Sequence, residues 1–225
     1  MKRLTKILDL MLTNQLLIDV GADHGYLGIE ALKQQKTKFV WNVEITKGPL
    51  LNAQNNFIRA GYVDQATFWT SDGFIKLPQT NATSATAVCA GMGTQTILKI
   101  LKHLPIYVDQ IILLTHTLGY KLRKWASENR WYVLAENYVA SNHKIYELIY
   151  LVRDNRLSTK QYQSETDYWL GLKEFYETAD NQLYFQQYWS EYLAKFSKIP
   201  AEKRSDYQTE LIKLIENLIN EKPIN

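Results

Sequence analysis

A single cysteine, Cys89, stands in 225 residues, so no disulfide can form within the chain, and its side chain reads as a small buried hydrophobe. Long apolar runs are missing as well. No stretch approaches the roughly 18 consecutive apolar residues that a membrane-spanning helix needs. The leucine-rich stretch behind Met1, Lys2 and Arg3 is broken by Lys6, Asp9 and Asn14, with no small-residue cleavage site after it, which argues against an export signal. A soluble, cytoplasmic protein with no membrane partner is expected. The four histidines show no spacing with one another or with Cys89 that suggests a metal site. Glycine almost vanishes beyond residue 154, where Gly171 is the only one.

What is present is ordinary globular material, 46% hydrophobic and 22% charged, which excludes a disordered or fibrous chain. The net charge of +3 is unevenly spread: residues 1–154 hold 17 basic and 12 acidic side chains, residues 155–225 hold 9 and 11. The first part suits an anionic macromolecular partner, and a solvated surface accounts for the bias equally well.

Apolar runs at 16–20, 39–43, 66–70, 86–90 and 111–115 alternate with segments of helical length. Strands buried on both faces and separated by helices imply crossover units and a parallel sheet. Residues 131–140 and 144–152 are separated only by Ser141, Asn142 and His143, which is hairpin spacing and predicts an antiparallel end to the sheet. After the polar break at 154–158 the pattern turns helical, over 178–197 and 201–220, with Leu211, Leu214, Ile215, Leu218 and Ile219 on one face. The expectation is an α/β domain over 1–154 and a helical domain over 155–225.

The first strand runs into Asp19-Val20-Gly21-Ala22-Asp23-His24-Gly25, where an open α/β sheet presents its ligand crevice. A dinucleotide fingerprint needs a second glycine two residues after the first, so that a pyrophosphate meets bare amides. Here that position is Asp23. A carboxylate repels pyrophosphate and favours a cationic ligand, which points to S-adenosylmethionine, with its ammonium and sulfonium, rather than NAD or FAD. Glu44, at the end of the second strand, suits the two hydroxyls of an adenosine ribose; Asp72 and Gly73, after the third, suit an adenine amino group. Ala90, Gly91, Met92 and Gly93 close the fourth strand and leave room for a flat nucleoside, with Thr94 placed to cap the following helix. Each has a bland alternative as a strand terminus or a turn.

At these residues the chain resembles the bacterial tRNA (adenine-22-N1)-methyltransferase family. The resemblance covers most of residues 16–153 and rests on residues 19–27, Glu44 with Gly48 and Pro49 behind it, Ala90-Gly91-Met92-Gly93, Leu122-Arg123-Lys124-Trp125 and Lys144-Ile145-Tyr146-Glu147. It implies a Rossmann-like methyltransferase domain followed by a helical, coiled-coil-like C-terminal domain, S-adenosylmethionine as donor, and N1 of an adenine in the tRNA D-arm as acceptor. The chain departs from the family pattern at Gly25, commonly alanine; at Thr94, in place of a further glycine; and at Leu114-Thr115-His116, where the family has Gln-Pro-Asn.

On that reading Asp23 is the candidate to stabilise the cationic product, His24 and His116 line the target pocket, and Lys2, Arg3, Lys121, Arg123, Lys124 and Arg130 meet tRNA phosphates. Solvated helix faces explain the same basic residues, and packing explains Tyr168, Trp169, Tyr184, Tyr188 and Trp189 better than stacking on bases does. A methyltransferase acting on another substrate and a noncatalytic nucleotide- or RNA-binding module of the same fold stay open as alternatives. The oligomeric state is open too, a monomer included.

Overall fold

The computed structural model of the chain describes residues 2–221, so Met1 and the side chain of Ile219, both read above, lie outside what it describes. The five apolar runs form β1 (Leu16–Val20), β2 (Phe39–Glu44), β3 (Ala66–Thr70), β4 (Ala85–Met92) and β5 (Gln110–Thr115), and the hairpin forms β6 (Tyr132–Ser141) and β7 (Lys144–Val152). Among the described residues they join into one seven-stranded sheet in the order β3-β2-β1-β4-β5-β7-β6. The first five strands are parallel, and β7 enters between β5 and β6, antiparallel to both.

Helices cover both faces, which is why β1 and β5 are buried along their whole length rather than at alternate residues. On one face α1 (Lys2–Leu10), α2 (Tyr26–Lys33) and α3 (Lys47–Ala60) bury Leu8, Leu27, Ile29 and Phe57 against Leu17, Val40 and Leu148. On the other, α4 (Thr94–Leu101) and α5 (Tyr120–Glu128) bury Ile97, Leu101, Leu122 and Ala126 against Ile18, Ala87 and Ile111. This is a Rossmann-like, doubly wound α/β sheet with the terminal antiparallel hairpin that the sequence predicts.

Beyond the sheet come α6 (Glu165–Leu170), α7 (Lys173–Tyr176), α8 (Ala179–Ser197) and α9 (Asp206–Glu221). Ser164 starts α6 through a reciprocal capping box with Asp167. The helix expected from residue 201 begins five residues later, because residues 201–203 make one 3-10 turn and Arg204 is extended. These helices share a third apolar cluster with the hairpin, in which Tyr138 and Ile145 meet Phe185, Tyr188, Trp189, Leu211 and Ile215. Tyr188 and Trp189 are packing residues there, while Tyr168, Trp169 and Tyr184 are partly buried against the cores.

Candidate active site at the carboxyl edge of the sheet

The strand order reverses between β1 and β4, and the loops leaving these two strands splay apart to form the crevice where an open α/β sheet takes its ligand. Gly21, Asp23 and Gly25 all have positive φ (79°, 50° and 68°), so the loop coils tightly before α2. A Cβ on Gly21 would lie 2.6 Å from Met92 Cε. Glycine here keeps the gap between the β1 and β4 loops open to a ligand. Gly91, with φ 79°, sits at a β-bulge between Ala90 and Met92, after which Met92 still pairs with Thr115 of β5.

The crevice is lined by carboxylates. Asp19 is almost fully buried at the end of β1, and burial, reinforced by the charge of Glu44, pushes its pKa up to about 7. Glu44 is half-buried, and its Oε1 accepts the Asp23 backbone N–H at 2.7 Å, tying the end of β2 to the glycine loop. The side chain of Asp23 remains exposed, 3.8 Å from His24 Nε2. His24 stacks on exposed Tyr26 with ring centroids 5.4 Å apart, and its carbonyl is held by Asn56 Nδ2 at 3.0 Å. Asp72 is exposed at the crevice end of β3, and Gly73, with φ 58°, packs on Ile100. Bare backbone flanked by Asp19, Asp23 and Glu44 fits a cationic nucleoside such as S-adenosylmethionine and disfavours a pyrophosphate.

The far wall comes from the end of β5. Exposed His116 places Nε2 4.0 Å from where a Gly93 Cβ would be, and its ring meets Tyr146 edge-on at 6.2 Å. The guanidinium of Arg3 lies over the Tyr146 ring at 4.7 Å, and its Nη1 is 3.4 Å from the corresponding point at Gly91. α1 therefore delivers a cation to the mouth of the crevice. The expected cap of α4 by the Thr94 side chain is not formed; Gly93 occupies the cap position. Instead the Thr94 hydroxyl donates to the Leu118 carbonyl at 2.8 Å and pairs with the Thr115 hydroxyl at 3.1 Å, and its backbone N–H donates to Thr117 Oγ1 at 2.9 Å. Two of the departures from the family pattern, Thr94 and Thr115, thus form one buried hydroxyl pair.

The chain matches the family model described as TrmK, tRNA (adenine(22)-N(1))-methyltransferase, over residues 17–222. It belongs to this family. The tRNA (adenine(22)-N(1))-methyltransferase of Bacillus subtilis is 26% identical over 151 residues, covering 66% of this chain and 63% of that protein. The M. capricolum TrmK structure, determined with S-adenosyl-homocysteine, is 26% identical and has a TM-score of 0.78, covering 97% of this chain and 93% of that one. An uncharacterized protein of Listeria monocytogenes shares the fold at 22% identity, with a TM-score of 0.82 and coverage of 97% and 99%. The enzyme is accordingly an S-adenosylmethionine-dependent tRNA methyltransferase of the TrmK family.

Of the basic residues expected to meet tRNA, Lys2, Lys121, Lys124 and Arg130 are exposed and Arg3 is half-buried at the crevice mouth. Arg123 is a correction. It is 1% exposed, with Nε 2.7 Å from Glu136 and Nη2 2.6 Å from Glu147, and it donates to the Trp169 carbonyl at 3.2 Å. Burial by itself lowers the pKa of a guanidinium; Glu147 and Glu136 outweigh that and hold Arg123 well above its usual value. Its donors are committed inside the protein and out of reach of RNA. Arg130 lies apart from the crevice. Tyr132, two residues on, pairs through Val152 with Gln110 at the start of β5, so Arg130 sits at the opposite edge of the sheet from His116, roughly a strand length away.

The hub around Arg123 escaped sequence reasoning. Glu147 accepts the Gly119 N–H at 2.7 Å and the Tyr188 hydroxyl at 2.6 Å, joining the loop after β5 to α8. Glu136 accepts the Leu172 N–H at 2.7 Å. Part of the signal was available: Glu147 stands in a strand between Ile145-Tyr146 and Leu148-Ile149 and so needs a buried partner, and Arg123 lies between Leu122 and Ala126 on the buried face of α5.

Proposed function

We propose that the enzyme methylates N1 of adenine 22 in the D-arm of tRNA, in the cytoplasm, with the donor held between the glycine loop and the end of β4 and the target base entering on the His116 side. The observation that carries this reading is the crevice itself, where the bare backbone of Gly21 and Gly91 lies among Asp19, Asp23 and Glu44. We assign Asp19, Gly21, Glu44, Asp72, Gly73 and the run Ala90, Gly91, Met92 and Gly93 to the donor, and Asp23, His24 and His116 to the target side. Residues 155–225 act as an arm that positions tRNA.

When bound, S-adenosylmethionine supplies a methyl group made electrophilic by its sulfonium. N1 of adenine carries an in-plane lone pair and forms the new N–CH3 bond directly; the N1–methyl bond forms as the sulfonium–methyl bond breaks, and the positive charge passes to the base. Catalysis then rests mainly on alignment. Asp23, an exposed carboxylate on a tightly fixed loop, balances the charge that develops on the base or takes an N6 proton from it. N1 is on the pairing edge, so the nucleotide has to leave its stack to be reached. The guanidinium of Arg3 suits the phosphate of that nucleotide and would oppose the cationic base, so it belongs at the mouth rather than beside N1.

Incubation of the protein with labelled S-adenosylmethionine and unmodified bacterial tRNA, followed by digestion and mass spectrometry, tests the assignment. The expected product is 1-methyladenosine at position 22. Donor binding without transfer to tRNA, or a methyl group on another base, overturns it.

A further inference from the structure

Next to the crevice, on the side facing the C-terminal helices, lies a cleft of about 320 Å³ whose polar lining is His116, His143, Lys144, Glu191, Tyr192 and Lys195. Three parts of the chain build it: the end of β5, the tip of the β6–β7 hairpin, and α8. Ile145 and Tyr188 form its buried floor. Its charge is one-sided. Glu191 is its single carboxylate and already accepts from Gln187 Nε2 at 3.0 Å. Lys144 and Lys195 are exposed, and among the described residues neither is within ion-pair distance of a carboxylate; the Lys195 ammonium rests over the Tyr192 ring at 5.8 Å. Two free ammonium groups, with two imidazoles beside them, make a site for an anion.

Its position decides which anion. His116 lines the cleft and also lies against Gly93 in the crevice, so the two spaces share a wall. A polynucleotide that puts one base into the crevice has to carry its flanking sugar-phosphate across that wall. The volume is at the small end for ligand sites, the size of a nucleotide rather than of a folded partner. The walls are fixed in advance: Tyr188 is bonded to Glu147, and Asn181, near the start of α8, accepts the Tyr138 N–H at 3.1 Å and donates to the Glu136 carbonyl at 3.0 Å. The hairpin and α8, which carry Lys144 and Lys195, are therefore tied to each other.

We propose that this cleft binds the tRNA sugar-phosphate next to the target nucleotide, with Lys144 and Lys195 on phosphate oxygens and Tyr192 against the sugar or base. The inference rests on the tRNA reading above. Neutralising a phosphate releases counterions, so each contact adds about 0.7–0.9 to the slope of log affinity against log salt.

The test uses the full chain with unmodified tRNA, measuring Kd between about 50 and 300 mM KCl for wild type, K144A/K195A and a control, K99A/K102A, which removes two exposed lysines from the far end of α4. The expected result is at least tenfold weaker binding by K144A/K195A at low salt, a slope reduced by roughly 1.4–1.8, a raised KM for tRNA, and unchanged affinity for S-adenosylmethionine. K144A/K195A matching the control in affinity and slope, while wild type binds and methylates tRNA, overturns this proposal alone. A wild-type protein that shows no salt-dependent binding to tRNA overturns the tRNA reading and this one with it.

Discussion

Replacing Arg123 with methionine removes the one cation from a site that holds two carboxylates, Glu136 at 4% and Glu147 at 1% exposure. The substitution keeps the apolar bulk of α5 and takes away the Nε and Nη2 contacts at 2.7 and 2.6 Å. Breaking a buried ion pair from one side costs about 3–5 kcal/mol, because a charge is left buried without compensation. For a chain of this size, with roughly 2–4 °C per kcal/mol, that corresponds to a melting temperature about 6–20 °C lower. The loss also acquires a pH dependence. Glu136 is already raised, first by burial and despite Arg123; without the arginine native Glu136 holds a proton that the unfolded chain has released. Where the native state binds more protons, stability falls as pH rises, so R123M should lose more at pH 8 than at pH 5. Denaturant unfolding at both values measures this. A loss under about 1 kcal/mol at pH 8, or one equal at both pH values, would refute the account of Arg123 as a charge anchor.

Asp19, with its pKa raised to about 7, is half-protonated near neutrality, while a bound cation favours the carboxylate. Affinity for S-adenosylmethionine should therefore rise from pH 6 to 7.5 with proton release, and D19N should flatten the rise; calorimetry in two buffers of different ionisation enthalpy reads both, and a flat wild-type profile contradicts the assignment. G21A puts a methyl group 2.6 Å from Met92 Cε at φ 79°, costing about 1–2 kcal/mol in backbone strain and at least tenfold in donor affinity; an unchanged donor Kd would show that the gap is not the donor site. For the Thr94 and Thr115 hydroxyl pair, T94V and T115V should each destabilise, while the double variant loses less than the two separate losses together, with coupling of about 0.5–1.5 kcal/mol. Strict additivity in a double-mutant cycle would mean that the 3.1 Å contact contributes nothing.

The strands were legible because helices on both faces demand largely apolar runs; β1, β3 and β7 have the expected bounds, β2 and β5 gain one residue at one end, and β6 is shifted along by one residue. β4 runs to Met92 because the bulge at Gly91 lets pairing resume beyond the expected end at residue 90, and no run of residue types signals a bulge. α6 and α7 were not anticipated, although the Ser164 and Asp167 spacing is a readable start signal; both are too short to show periodicity. The crevice residues were legible because position after a strand and side-chain chemistry suffice to propose them. Arg123 was misplaced for a physical reason. A charged side chain on a helix is usually solvated, and only three-dimensional packing shows that Glu136 from β6 and Glu147 from β7 converge on it. The coupling of Thr94 to Thr115 was hidden in the same way, being a contact across 21 positions.

Glu147 receives one hydrogen bond from the loop that carries His116 and another from α8. A carboxylate shared between the His116 loop and α8 ties the two together, and an enzyme with that joint already set does little of the remodelling itself. The work of exposing a paired adenine then falls on the RNA, and D-arms that unstack cheaply should be methylated faster than stiffer ones with the same target base.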